Sequence, residues 1–320
     1  LPPPCSRSTY NRGARNELDE GAMLAILLLF LTLTAQAEYT PLRYYHAHGP
    51  EKCHAAWKNT LDWRANNAID LALPVGGGRK FDSIKSFCPH FFSGWDAKGN
   101  IIFVQCPGLT NFKALASANL TVEDLLFHYV FTIEYCWNVL DRRPWEEGGV
   151  MTSIIDLKGL RWSNVFSGEQ IEFLKQFVSM MSDHYPQRSH KTLIINAPKW
   201  FSHVYKVVKP MLREKTREKI DIFSVGSKEV YGRLVEVCGE EGVCEDWRRD
   251  CGVDVIEGSR KVENGPDSPL EKKLREYVLE RLEARGEKMD PVSPAIVKIA
   301  EEARLRADAI RAKSTSKKWF

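Results

Sequence analysis

The chain has 320 residues, 43% of them hydrophobic and 27% charged, the balance of a globular protein with room for one large domain and a smaller companion. A formal net charge of +3 excludes a protein that coats nucleic acid, although a local basic surface can still dwell on anionic lipid headgroups. The eight cysteines are scattered, with no paired CxxC, and Cys238, Cys244 and Cys251 are irregularly spaced with no His nearby. That pattern argues against a metal site and reads as reduced thiols in a cytosolic protein.

Residues 1–22 are polar with a proline-rich start, the composition of a disordered segment. Met23 to Ala37 is a short uncharged apolar run that ends in Ala35-Gln-Ala37, like a signal-peptidase site. It is shorter than the roughly 20 residues that span a bilayer, and Glu17, Asp19 and Glu20 precede it instead of Lys or Arg. Three readings of residues 23–41 stay open: a signal peptide with secretory entry, a buried helix, or a stretch translated from an intron. Asn119-Leu-Thr121 is a glycosylation sequon only in the secretory case.

From Leu42 to about Leu73 the apolar spacing predicts helix, stopped by Pro74 and Gly76-Gly77-Gly78. The triple glycine lacks the spacing of a phosphate loop and reads as a connector. Asp96 to Asn100 is a turn before the strand Ile101–Gln105, and Thr121 caps a helix running to about Leu140. Val150–Ile155 is a strand, Ser167–Ser182 an amphipathic helix, and Lys191–Ile195 a strand; a helix through Leu212 and the strand Lys219–Val225 follow. Strands alternating with helices predict a mainly parallel sheet with right-handed crossovers. Residues 258–320 are strongly charged, with Leu270, Leu274, Val278 and Leu282 at four-residue spacing and a second helix over Ala295–Ala312. This reads as a solvated helical tail, with docking of a protein partner or membrane as the alternative.

Five motifs occur in order. They are Leu42–His48 with Leu61-Asp-Trp-Arg64; Asp96 and Gly99-Asn100 before Ile101–Phe103; Ile155-Asp-Leu-Lys-Gly159; Tyr185-Pro-Gln-Arg188 with Ile194–Pro198; and Lys209-Pro210 with Thr216 and Lys219. Together they resemble the CRAL-TRIO lipid-binding family, whose members include phosphatidylinositol/phosphatidylcholine transfer proteins. The resemblance implies an α/β fold with a mixed, mainly parallel sheet and flanking helices around a lipid cavity. A small all-helical N-terminal domain (42–75) would precede the lipid-binding domain (80–250), and the helical tail would follow.

The resemblance assigns Arg188, Thr216 and Lys219 to the headgroup phosphate, a pairing that a guanidinium fork, an ammonium and a hydroxyl suit chemically. It assigns Phe92, Phe103, Ser153 and Tyr185 to the cavity wall, and Phe201, Val204, Tyr205, Val208 and Leu212 to the apolar face of a gate helix. His48 stands where the family carries a further headgroup-contacting Arg, which implies weaker or pH-sensitive phosphoinositide binding. Gln187 replaces an acidic residue, and Met151 replaces a hydroxyl of the choline-headgroup site that Ser153 retains.

The expected function is to hold a single phospholipid and transfer it at transient membrane contacts, in the cytoplasm and without catalysis or a cofactor other than the lipid. A lipid-sensing scaffold or a carrier of another small hydrophobic ligand is the alternative. No GxSxG, P-loop or GxGxxG element supports an enzyme.

Overall fold

A computed structural model describes residues 39–162, 168–253 and 266–316; residues 1–38, and with them the Met23–Ala37 run, lie outside the described residues. The elements from Leu42 onward belong to one compact unit. The helix expected from Leu42 is broken by Gly49-Pro50 into α1 (Leu42–His48) and α2 (Cys53–Asn66). Tyr44 fastens both to the domain, its hydroxyl lying 2.9 Å from Thr60 Oγ1 and 2.8 Å from the His184 carbonyl. A helical turn at Ala72–Val75 ends on Gly76 in the left-handed region, and α3 (Phe81–Phe87) follows.

The sheet has five strands in the order β1 (His90–Trp95), β2 (Ile101–Gln105), β3 (Met151–Asp156), β4 (Ser189–Ala197) and β5 (Ile220–Ser224). β1 and β2 form an antiparallel hairpin and the other pairs are parallel, as the alternation of strands with helices implied. The hairpin turn is built by Asp96, whose carboxylate accepts from the Asn100 backbone at 2.8 Å and from the Thr152 hydroxyl at 2.6 Å. The sequence pattern does not predict strand β1.

Between β2 and β3 runs α4 (Val122–Tyr135), opened by a capping box in which Thr121 and Asp124 satisfy each other's backbone N–H. It continues into a single π-helical turn, Cys136–Leu140. The crossover from β3 to β4 carries α5 (Gly168–His184), and that from β4 to β5 carries α6 (Phe201–Val208). Then come α7 (Val230–Cys238) and α8 (Glu245–Asp250).

The C-terminal helices α9 (Pro269–Ala284) and α10 (Pro294–Ser316) fall where the spacing placed them, but α9 is not solvated. Leu270, Leu274, Val278 and Leu282 are buried in the same core as Phe92 and Phe131. Helix α9 packs on the edge strand β1. Ser268 Oγ donates to the Phe92 carbonyl, and the Glu271 carboxylate accepts the Phe92 N–H at 3.0 Å. The same carboxylate is paired with buried Lys85 at 2.6 Å. The Leu and Val positions therefore serve the fold, because four-residue spacing on a charged helix makes one narrow stripe that a neighbouring surface can cover.

Candidate functional site

Side chains alternate between the two faces of a strand, and this decides what the sheet presents on each side. Phe103, Ser153, Thr192 and Ile220 are successive register partners across β2 to β5. All four line a cavity of about 310 Å³. Gln105, Ile155 and Ile194 form the next row into it. The residues between, Ile102, Val104, Ile154, Leu193 and Ile195, are buried on the opposite face with Leu234 of α7 and Trp247 of α8.

An irregularity separates the pairs Met151 with Ser189 and Thr152 with Lys191, leaving His190 as an extra residue in β4. Ser189 and Thr192, three positions apart, thereby both face the cavity. The roof is apolar. Tyr129 and Ile133 come from α4, Phe173, Phe177 and Met181 from α5, and Phe201, Val204, Tyr205 and Val208 from α6, with Leu212 beyond it. The five positions read from sequence as one face of a gate helix thus all line the cavity. The regular helix is shorter than expected, giving way at Val208 to a 3₁₀ turn through Lys209-Pro210-Met211.

Among the described residues, the charged ones of the lining are Arg188, Arg213 and Lys219, with no Asp or Glu. Arg188 follows a tight turn in which Gln187 takes a positive φ of 63° and its carbonyl accepts from the Trp145 indole at 2.9 Å. The Arg188 guanidinium donates to the Gly149 carbonyl at 2.5 Å and lies 4.6 Å from the centre of the Trp137 ring. Burial, with Arg43 as a second cation, pulls its pKa down to about 10, so it remains charged at neutral pH without a carboxylate ion-pair partner among the described residues.

Lys219 donates to the Ser189 carbonyl at 2.7 Å, and burial, with Lys215 nearby, lowers its pKa too. Thr216 lines the cavity between Arg213 and Lys219. Two buried polar atoms of the lining, Trp137 Nε1 and Gln170 Oε1, have no hydrogen-bond partner among the described residues. An anion placed among these groups would meet three cations, and apolar chains would meet the helical roof.

The structure brings together Arg188, Thr216 and Lys219 with Phe103, Ser153 and Tyr185 at this cavity. Tyr185 nevertheless spends its hydroxyl elsewhere, 2.5 Å from Glu134 Oε1. Glu134 in turn takes both guanidinium nitrogens of Arg64, at 2.8 and 3.1 Å, which ties α2 to the cavity wall.

Two expected residues do not line the cavity. Phe92 is fully buried, but it sits one strand further out, against Phe103 at 5.2 Å and under α9. His48 ends α1 and meets Arg213 instead, with 3.0 Å between His48 Nε2 and the Arg213 guanidinium. Arg213 is the charged cavity residue that sequence reasoning missed. The signal was available in the three-residue spacing of Arg213, Thr216 and Lys219, which all reach one wall.

Outside, α6 turns a different chemistry to solvent. Lys199, His203, Lys206, Val207 and Lys209 are exposed, and no Asp or Glu occurs from Lys199 to Arg213. Trp162, also exposed, stacks edge-on with Trp200 at 5.3 Å beside His203. Among the described residues no helix is long and apolar enough to cross a membrane.

The chain is similar to several known proteins. Residues 89–240 match the model of the CRAL/TRIO domain. The protein named phosphatidylinositol/phosphatidylcholine transfer protein SFH11, from Arabidopsis thaliana, is 24% identical over 254 residues, 76% of this chain and 65% of its own length. The Sec14 cytosolic factor of Schizosaccharomyces pombe is 28% identical over 172 residues, 52% of this chain and 58% of its own. The chain spans 65% or less of the length of these two curated relatives. A solved structure titled Crystal structure of Sfh5 superposes with a TM-score of 0.47 at 19% identity, covering 59% of this chain and 66% of that one. Residues 89–240 thus match the CRAL/TRIO domain family.

Proposed function

We propose that the chain holds a single phospholipid, of the phosphatidylinositol or phosphatidylcholine type, in this cavity beneath α6 and moves it between membranes as a cytosolic, peripheral carrier without chemical turnover. The observation that carries the reading is the cavity itself, with an apolar roof and charged lining groups that are all cations. A phosphate would supply the acid partners those cations lack, in charge-assisted hydrogen bonds. The outer face of α6 supports the membrane step, because lysines beside an indole pair suit the boundary between anionic headgroups and acyl chains. The name of the Arabidopsis thaliana relative SFH11, a phosphatidylinositol/phosphatidylcholine transfer protein, points the same way.

The test is native mass spectrometry of protein purified from a eukaryotic host, followed by lipid extraction. One co-purified phospholipid per chain is expected, with Arg188 and Lys219 protecting its phosphate. A folded protein that emerges with a non-phospholipid hydrophobe, or with none, would overturn the reading.

A variant tests the geometry at the phosphate. A Cβ on Gly149 would lie 2.2 Å from the Arg143 carbonyl oxygen and 2.8 Å from Arg188 Nη1. Gly149→Ala should therefore shift the Arg143 backbone as well as Arg188 and cut transfer of phosphatidylinositol at least about tenfold, the worth of one charge-assisted hydrogen bond. Equal transfer by the variant and the parent would remove Arg188 from the headgroup.

A lipid-sensing scaffold is the second reading, and one observation favours it. Helix α10 leaves Val297 52% and Leu305 63% exposed, apolar surface that a protein partner would cover.

A further inference from the structure

The charge at the cavity exceeds what one phosphodiester can neutralise. A phosphatidylinositol headgroup carries a single negative charge, whereas Arg188, Arg213 and Lys219 bring three positive ones and no carboxylate among the described residues lines the cavity. Arg213 is held in place from two sides. Its guanidinium donates to the Ser182 carbonyl at the end of α5 and to His48 at the end of α1.

Since a guanidinium can only donate, His48 Nε2 must be the acceptor and its proton must sit on Nδ1. Burial and the Arg213 charge both lower the pKa of His48, which keeps the imidazole in that neutral form at pH 7. Asp183, the nearby acid, makes no ion pair with Arg213, and its carboxylate accepts the Ser179 hydroxyl at 2.9 Å. Arg213 is thus a positioned, half-buried cation at the cavity with no ion-pair partner among the described residues.

We propose that Arg213, positioned by His48, is a specificity-determining residue that makes the site select headgroups bearing a phosphomonoester in addition to, or in place of, the phosphodiester. This rests on the phospholipid-carrier reading and deepens it. A phosphomonoester carries close to two negative charges at neutral pH and three acceptor oxygens, which suits a cavity lined by a second guanidinium as well as by Arg188 and Lys219. His48 acts through Arg213 instead of touching the ligand. Two kinds of lipid present this chemistry, an inositol phospholipid phosphorylated on its ring and phosphatidic acid.

The experiment measures uptake by the full chain from vesicles of phosphatidylcholine doped in turn with phosphatidylinositol, phosphatidylinositol 4-phosphate or phosphatidic acid. The parent should prefer one or both phosphomonoester lipids over phosphatidylinositol by about tenfold, as expected for an added charge-assisted pair. The lipid that shows the preference identifies the source.

Arg213→Gln should erase that preference by lowering uptake of the phosphomonoester lipids about tenfold more than uptake of phosphatidylinositol, and Arg213→Lys should restore part of it. His48→Ala should mimic Arg213→Gln in part, and His48→Gln, which keeps an acceptor, should recover the parent value. Thermal melting of each variant separates misfolding from lost selectivity. If the parent takes up phosphatidylinositol with no preference, or if Arg213→Gln lowers all lipids equally, the inference fails and the carrier reading stands. If the parent takes up no phospholipid at all, both fail.

Discussion

Replacing Arg188 by Met is expected to raise the melting temperature of the lipid-free protein by about 2–4 °C while cutting uptake of anionic lipid about 100-fold. The two effects have one cause. Arg188 is charged in a largely buried position without an acid partner, and burial pulls its pKa down to about 10. Holding that charge in the empty cavity costs about 3 kcal/mol at the usual 1.4 kcal/mol per pH unit.

The sign follows from the direction. A cation whose pKa falls on folding destabilises the folded state throughout the neutral range, and the penalty is relieved only as the pH climbs through about 10. Met removes the penalty and keeps apolar contact with Trp137. It loses the hydrogen bond to Gly149 and the ring contact, each worth about 1 kcal/mol, so the net gain is about 1 kcal/mol. For a domain of this size that gain corresponds to a few degrees. The loss of binding comes from two charge-assisted hydrogen bonds at about 1.5 kcal/mol each. Scanning calorimetry of delipidated protein and vesicle transfer read the two arms. A lower melting temperature with unaltered transfer would make Arg188 a structural anchor of the turn at Gln187.

Deleting residues 258–320 should leave no folded protein. From sequence this truncation looks like a clean way to separate a lipid carrier from a tail-dependent scaffold. The structure removes that option, because Leu270, Leu274, Val278 and Leu282 are at most 8% exposed within the main core. Burying four such side chains contributes about 6–12 kcal/mol, comparable to the entire stability of a typical domain. The truncated chain should appear in the insoluble fraction or lack a cooperative melt.

Point variants grade the same claim. Leu274→Ala should cost about 2–5 kcal/mol. Leu279→Ala, at a site 38% exposed, should change stability by less than about 0.5 kcal/mol. A soluble, cooperatively folding truncation would show that α9 contributes little to the core.

Strands β2 to β5 and the helices between them were legible because each is a run of one period. Ile101–Gln105 and Lys191–Ile195 read as strands on their own, and the Ile171, Leu174, Phe177, Val178 and Met181 stripe reads as one face of a helix. Strand β1 was not legible. His90-Phe-Phe-Ser-Gly-Trp95 lacks alternation, its register shifts between Phe92 and Gly94, and its pairing with β2 exists only in three dimensions.

The gate-helix face was legible from helical spacing, whereas Phe103, Ser153, Tyr185, Arg188, Thr216 and Lys219 were assigned only through the motifs that resemble the family. Arg213 sits among Glu214, Lys215, Arg217 and Glu218, where charge alone ranks none of them, and only the turn after Pro210 sends it inward. Motif position assigns His48 to the headgroup, but its partner comes from 165 residues away, a distance that local pattern does not encode. The tail misleads because a charged helix with one apolar stripe looks alike whether the stripe meets solvent, a partner or its own domain.

The pairing of Ser268 and Glu271 with both backbone groups of Phe92 has a consequence for how copies of the chain can meet. A sheet with two free edges can grow head to tail without limit, strand adding to strand. Here an incoming strand at β1 would have to displace α9, so the edge that stays open is β5, which pairs with β4 alone among the described strands. Any association by strand addition must then join β5 to its own copy. Such a contact is self-complementary and uses up the last edge, so it closes at two chains and cannot propagate into a fibre.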